Sequence, residues 1–301
     1  MAKTRWTSAD LPRLDGRLAL VTGANRGLGL EIVRALGRAG AQVVLACRDI
    51  RKGQDAIDTL RAEGLQSPLE AHALDLGDLA SVRAFAQTFA KQQARIDLLF
   101  NNASAILVPQ GRTHDGFETH FGTNHLGHFA LTGLLLPQLQ AAPAARIVNT
   151  ASLAHRLTPG LDLDDPHFER RPYKDMDAYG ASKLAALLYT FELQRRLAAA
   201  GAPIIATAAH PGYAATNTDL GGFFMRLATR LFAQPAHQGA WPALYAATAS
   251  DVRGGEYFGP GGYKELGGHP ARVDCRPEAR DAQLASRLWS LSEQLTGVRY
   301  L

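Results

Sequence analysis

Cysteine is scarce in this chain, with only Cys47 and Cys275 among 301 residues. Two cysteines make no disulfide framework, which points to a reducing compartment. No apolar run approaches the roughly 20 residues that cross a bilayer. The opening stretch MAKTRWTSADLPRLDGR holds no apolar core of signal-peptide length. Charge of one sign is not concentrated either: 32 Lys and Arg stand against 28 Asp and Glu, a formal net charge of +4. That spread argues against a dedicated nucleic-acid binder, which carries a clustered basic face. No internal repeat and no Ser/Gly-rich linker divides the chain. What is left is an ordinary globular composition, expected to be cytoplasmic, with no membrane span and no nucleic-acid partner.

What the chain does contain is alternation. RLALVTG, residues 17–23, is an apolar run closed by glycine, and a helical pattern follows over 28–37. Further strand candidates are 43–46, 69–76, 96–103, 145–152 and 203–212. Helical stretches separate them at about 50–63, 79–92, 120–140 and 178–200. A last short strand is expected at 256–258, inside the glycine cluster 254–268. Strands alternating with helices imply an α/β fold, a single doubly wound parallel sheet covered on both faces and forming one domain over 1–301. Ligands of such a sheet lie beyond the carboxyl ends of its strands. The residues there are Thr22-Gly23, Cys47-Arg48, Asp75, Asn101-Asn102, Thr150 to Ser152 and His210 to Gly212.

TGANRGLG, residues 22–29, joins the first strand to the first helix. Its glycines allow a tight turn, and the helix N-terminus can hold a pyrophosphate. The spacing is G-x-x-x-G-x-G, unlike the common G-x-G-x-x-G. Downstream stand Asp75-Leu76, NNAS at 101–104, NHLGHF with Asn124, VNTAS ending at Ser152, YGASK with Tyr179 and Lys183, and HPGYAATN at 210–217. Together these motifs resemble the short-chain dehydrogenase/reductase family. ACRD, NHLGHF and HPG are most similar to its retinol-dehydrogenase-like branch and the bacterial oxidoreductase relatives of that branch. The resemblance implies a Rossmann fold and a nicotinamide cofactor. It implies cofactor contacts from Gly23, Asn25, Arg26, Gly27, Leu28 and Gly29, from Asp75 and Leu76 at the adenine, and from Asn102 and Ala103. It also implies contacts from Tyr179, from Lys183 at the nicotinamide ribose, and from Pro211, Gly212 and Thr216 in a covering loop. Ser104 stands where the family prefers glycine. Asn124 is implied to hold a water that links Lys183 to solvent.

The chemistry of the catalytic set can be argued from residue types. Tyr179 and Lys183 are four apart on a helical stretch, so they share a face. A free tyrosine titrates near 10, and a neighbouring ammonium is expected to lower that value. Tyr179 could then pass a proton to a carbonyl oxygen or take one from an alcohol, with Ser152 bonded to the same oxygen. Alone, YxxxK is more often an exposed helix face and Ser152 a turn cap; the upstream glycine loop makes the set.

The cofactor preference turns on residues 47–49. Asp49 lies about where an acid would hold a ribose hydroxyl in an NAD site. With the strand ending at Ala46, however, Asp49 becomes an N-cap and neutral Cys47 takes the acid's place. Arg48, with Arg26 approaching from the other side, suits a 2′-phosphate. NADP(H) is therefore preferred and NAD(H) admitted, with a small apolar carbonyl or alcohol as substrate.

Two alternatives remain, a catalytically silent NADP(H)-binding sensor or scaffold and a carbon–carbon double-bond reductase. A homo-oligomer is compatible with the sequence. His120, Asn124 and His128 recur every four residues beside His125, but no third ligand is arranged with them, so no metal is expected. GFFMRLATRLF, 222–232, reads either as a core helix or as part of a lid over about 213–235. The charged stretch between Ser152 and Tyr179, centred on 153–177, reads as an inserted loop near the site or a solvated surface loop.

Overall fold

Leu18–Thr22 (β1) is buried along its whole length, as a strand covered on both faces must be. The structure is a computed structural model describing residues 5–213 and 234–301. The stretch read as a lid, and Thr216, fall almost wholly on 214–233 and lie outside the described residues. A glycine-rich turn leads from β1 into α1 (Gly27–Arg38), whose buried stripe is Leu28, Ile32, Val33 and Leu36. There follow β2 (Gln42–Cys47), α2 (Ile50–Ala62), β3 (Leu69–Ala73), α3 (Leu79–Gln92) and β4 (Leu98–Asn101). After a long excursion come α4 (Gly127–Leu134), α5 (Leu136–Gln140), β5 (Ala145–Thr150), α6 (Asp175–Ala199) and β6 (Ile204–Ala209). The chain ends with α7 (Ala236–Gly239), α8 (Trp241–Thr248), β7 (Tyr257–Pro260), β8 (Pro270–Arg272) and α9 (Ala282–Thr296).

Among the described residues, eight strands lie in the order β3-β2-β1-β4-β5-β6-β7-β8. All neighbours are parallel except β7 and β8. This is the doubly wound sheet expected from the alternation. One apolar core packs α1, α2 and α8 on one face, and a second packs α3, α4 and α6 on the other. The order reverses between β1 and β4, so a crevice opens beyond their carboxyl ends.

Several boundaries differ from the sequence reading, each for a local reason. β2 runs one residue past Ala46, because Cys47 still pairs with Ala73. β3 stops at Ala73, short of Leu76, because the Asp75 carboxylate turns back to accept the Gly77 N–H at 2.8 Å. The 120–140 stretch is three pieces: a π-helical turn over Phe121–Leu126, then α4, then α5 with a proline in its first turn. The last parallel strand is centred later than 256–258. Its antiparallel partner β8 left no pattern, since three residues are too few to show alternation.

Candidate active site

The glycine turn shapes one side of the crevice. Gly23 sits at φ +64, and a Cβ there would lie 2.8 Å from the Ala103 Cα. A Cβ on Gly29 would lie 2.3 Å from the Gly23 carbonyl oxygen and 2.8 Å from Asn102 Nδ2. The turn, the first helix and the exit of β4 therefore pack backbone on backbone, which only glycine allows. Gly29→Ala is expected to cost about 1–3 kcal/mol by overpacking. Urea denaturation of that variant checks it, and unchanged stability would mean the turn yields freely.

Thr22 ties these pieces together. Its hydroxyl oxygen accepts the N–H groups of Asn102 and Ala103, both at 2.9 Å, and lies 2.9 Å from His128 Nε2. Arg26 precedes α1 without offering a side-chain cap, so the first N–H groups of a twelve-residue helix stay open at the crevice. Asn102 Oδ1 and Ser104 Oγ are buried and find no partner among the described residues. Open helix donors, orphaned polar atoms and a glycine turn fit a dinucleotide with its pyrophosphate at α1.

On the opposite side α6 delivers Tyr179 and Lys183 from adjacent turns. Lys183 Nζ donates to the Thr150 carbonyl at 2.9 Å and stands 5.7 Å from the centroid of the Tyr179 ring. Gly180, between them, lets the short turn after Ser152 press onto α6, since a Cβ there would meet the Ala154 carbonyl at 2.6 Å. The Ser152 hydroxyl thereby stands on the same side of the cleft as Tyr179 and pulls its pKa down.

The electrostatics correct one expectation. Burial pushes Tyr179 above its ordinary value, with the Ser152 hydroxyl pulling the other way. Burial also pulls Lys183 down to about 7. An ammonium that is itself desolvated is only partly charged near neutrality, so it does not lower Tyr179 as the spacing alone suggested. Stability follows from the depressed Lys183. The unfolded lysine still binds a proton between about pH 7 and 10, where the folded one largely does not, so stability rises across that window and is lost as pH falls back from about 10 to 7, below which it levels off. Lys183→Met should flatten this rise. Urea midpoints of both proteins at about pH 7 and pH 9.5 report it, and parallel slopes would refute it.

Gly23, Asn25, Arg26, Gly27, Leu28, Gly29, Arg48, Asp75, Leu76, Asn102, Ala103, Ser152, Tyr179, Lys183, Pro211 and Gly212 all line one cleft of about 620 Å³. Asn124 does not line it. Its side chain instead grips the Ala105 backbone and donates to Ser182 Oγ at 2.9 Å. Ala105, Ile106, Val108, Thr119 and Thr123 also line the cleft and were missed, because they belong to no motif. For Ala105, Ile106 and Val108 the one signal was an apolar run directly after NNAS; Thr119 and Thr123 left none.

Asp49 is the N-cap of α2, accepting the Arg51 N–H at 3.0 Å. The Cys47 sulfur lies 2.7 Å from where a Cβ of Gly53 would sit, and burial lifts its thiol to about 11. Cys47 is thus a neutral packing residue at the strand tip. The three histidines diverge: His120 faces Glu118, His125 bonds Ser292, and His128 bonds Thr22 and the Asn124 carbonyl.

A family model described as short chain dehydrogenase matches residues 17–161. Retinol dehydrogenase 12 of Mus musculus is 39% identical, over 98% of this chain and 90% of that protein. Polyprenol dehydrogenase of Mus musculus is 39% identical, over 95% of this chain and 86% of its own. Among solved structures, an uncharacterized protein from Mycobacterium Paratuberculosis is 43% identical with a TM-score of 0.83, covering 99% of this chain and all of its own. The Pseudomonas aeruginosa RhlG/NADP active-site complex is 26% identical with a TM-score of 0.62, over 81% of this chain and 94% of that one. With relatives this similar over almost their whole length and a sheet of the same winding, the chain belongs to the short-chain dehydrogenase/reductase family, in its retinol-dehydrogenase-like branch, and is an oxidoreductase of alcohol and carbonyl groups.

Proposed function

We propose that the protein transfers a hydride between NADP(H) and the carbonyl or alcohol carbon of a small apolar molecule, with Tyr179 as general acid and base. The observation that carries this reading is the meeting of Tyr179, Ser152 and Lys183 at the end of β5, inside the cleft that the glycine turn opens. When bound, the nicotinamide gives or accepts the hydride. The chain's own residues handle the proton.

Burial keeps the Tyr179 proton on its oxygen, which suits donation to a carbonyl oxygen as that oxygen gains charge. The Ser152 hydroxyl donates to the same developing charge. In the reverse direction Tyr179 must first lose its proton. A charged Lys183 favours that loss, and an anionic dinucleotide would help Lys183 stay charged. Asn124 supports these groups from behind, through Ser182, whose hydroxyl donates to the Tyr179 carbonyl at 2.7 Å.

Arg26 and Arg48 are both exposed at the cleft, and neither makes a salt bridge among the described residues. That leaves both guanidiniums able to take a 2′-phosphate. Ile106 and Val108 supply an apolar wall. The named substrates of two relatives, retinol and polyprenol, are apolar alcohols. Free Cys47 and Cys275 are consistent with a cytoplasmic setting, and no helix among the described residues is long and apolar enough to cross a membrane.

The test is turnover. Aldehydes with NADPH, and alcohols with NADP, should change nicotinamide absorbance, with NADH and NAD clearly poorer. Tight cofactor binding without turnover of any aldehyde, ketone or alcohol would instead favour a sensor.

A further inference from the structure

Residues 105–108 form a wall of the cleft just past Asn102, and side chains grip both of its ends. Asn124 Oδ1 accepts the Ala105 N–H at 2.7 Å, and Asn124 Nδ2 donates to the Ala105 carbonyl at 2.9 Å. At the far end the Val108 N–H donates to His120 Nε2 at 3.2 Å, and the Tyr173 hydroxyl donates to the Val108 carbonyl at 3.2 Å. Between the two grips Leu107 is held at φ +48. A non-glycine residue persists in that region only where its surroundings over-determine it.

The grip on Val108 is anchored on a buried carboxylate. Glu118 is 1% exposed and His120 is 0% exposed. Glu118 Oε1 accepts the His120 N–H at 2.9 Å and the His120 Nδ1–H at 2.8 Å, while Oε2 accepts the Phe121 N–H at 2.7 Å. The Tyr173 hydroxyl lies 3.2 Å from the same Oε1. Because Val108 occupies Nε2, the neutral His120 ring carries its proton on Nδ1, facing Glu118. Burial pushes Glu118 up, but the hydrogen bonds from His120 and Phe121 outweigh it and hold the carboxyl below its usual range. Every strong donor and acceptor of the pair is engaged within the protein, so the pair holds position instead of moving protons.

The same network reaches the reacting centre. The His120 ring packs on Tyr179 with centroids 5.9 Å apart. Tyr173 comes from the inserted stretch before α6, and its ring sits edge-on to Phe168 at 5.4 Å. The insertion thus places one hydroxyl against a wall residue 65 positions earlier in the chain.

We propose that Glu118, His120 and Tyr173 are positioning residues that fix the 105–108 wall and so decide which apolar substrates are held at Tyr179. This rests on the hydride-transfer reading above and deepens it. Ile106 and Val108 project from a fixed wall, and a long alkyl chain lying along them buries more apolar surface than a short one. The enzyme therefore prefers long-chain aldehydes and alcohols, and the preference depends on the grip.

Tyr173→Phe removes one hydroxyl and keeps the ring beside Phe168. With NADPH, its KM for decanal should rise about fivefold to tenfold, the effect of one lost hydrogen bond, while kcat and the KM for propanal stay within about twofold. Deuterium exchange at the Val108 amide should speed up while exchange in β1 stays as in the wild type. A purely structural role would lower the melting temperature and weaken both aldehydes equally. That outcome, or an unchanged preference with unchanged Val108 exchange, overturns the proposal. If the wild type turns over neither aldehyde nor the matching alcohols, the hydride-transfer reading is what fails; exchange at Val108 still decides the grip.

Discussion

Tyr179→Phe keeps the fold and the affinity for the dinucleotide but loses turnover by about 10²–10⁴-fold, the usual worth of general acid–base catalysis. The change removes a single oxygen from a ring that is 9% exposed, so the packing of α6 on its neighbours stays intact. Lys183 keeps its bond to the Thr150 carbonyl, because that contact does not involve the phenol. Ser152 keeps its own bond, accepting the Ala154 N–H at 3.2 Å. The loss should therefore fall on kcat, with thermal unfolding and dinucleotide titration close to wild type. Activity within about threefold of wild type would leave Tyr179 without the role assigned to it.

Arg26→Ala with Arg48→Ala should weaken NADPH by a hundredfold or more, taking about 1.5–3 kcal/mol for each hydrogen bond to a charged group and allowing for exposure. NADH binding should hardly change, since neither arginine has a 2′-phosphate to meet there. Both residues are exposed and neither forms a salt bridge among the described residues, so their loss leaves no charge buried and unpaired. Placing an acid at Cys47 is a poorer test. That side chain is 3% exposed and points at Gly53, so a carboxylate would be buried without a partner and would cost stability by itself. Direct titration decides. Equal affinities of the wild type for NADH and NADPH would refute the arginine reading.

Much of the site was legible because its signals are local. A glycine turn between a strand and a helix depends on residues within one loop, as does the N-cap at Asp49. Tyr179 and Lys183 share a face by helical spacing alone. Strand ends collect ligand residues in any parallel sheet, so Asp75, Asn102, Ser152 and Gly212 could be singled out before their neighbours were known. Ala105, Ile106 and Val108 escaped notice, since a wall of irregular backbone carries no period, and Thr119 and Thr123 escaped because the helical reading gave no sign of which face meets the cleft. The π-helical turn at Phe121–Leu126 was read as plain helix, because the extra residue leaves the apolar pattern almost unchanged.

The sequence by itself determined the doubly wound alternation of the sheet, the family resemblance, and many, though not all, of the residues that line the cleft. These follow from periodicity and from motifs that occupy single turns. The tertiary structure alone decided how those residues behave. Burial raises Tyr179 and pulls Lys183 down to about 7, reversing the direction that charge proximity suggested. Packing turned Cys47 toward Gly53, and carried Tyr173 and Glu118 to the back of a wall that neither motif nor spacing connects to them. The physical reason is the same in each case: desolvation and long-range contact depend on what surrounds a side chain in three dimensions, and neighbours in sequence do not specify that surrounding.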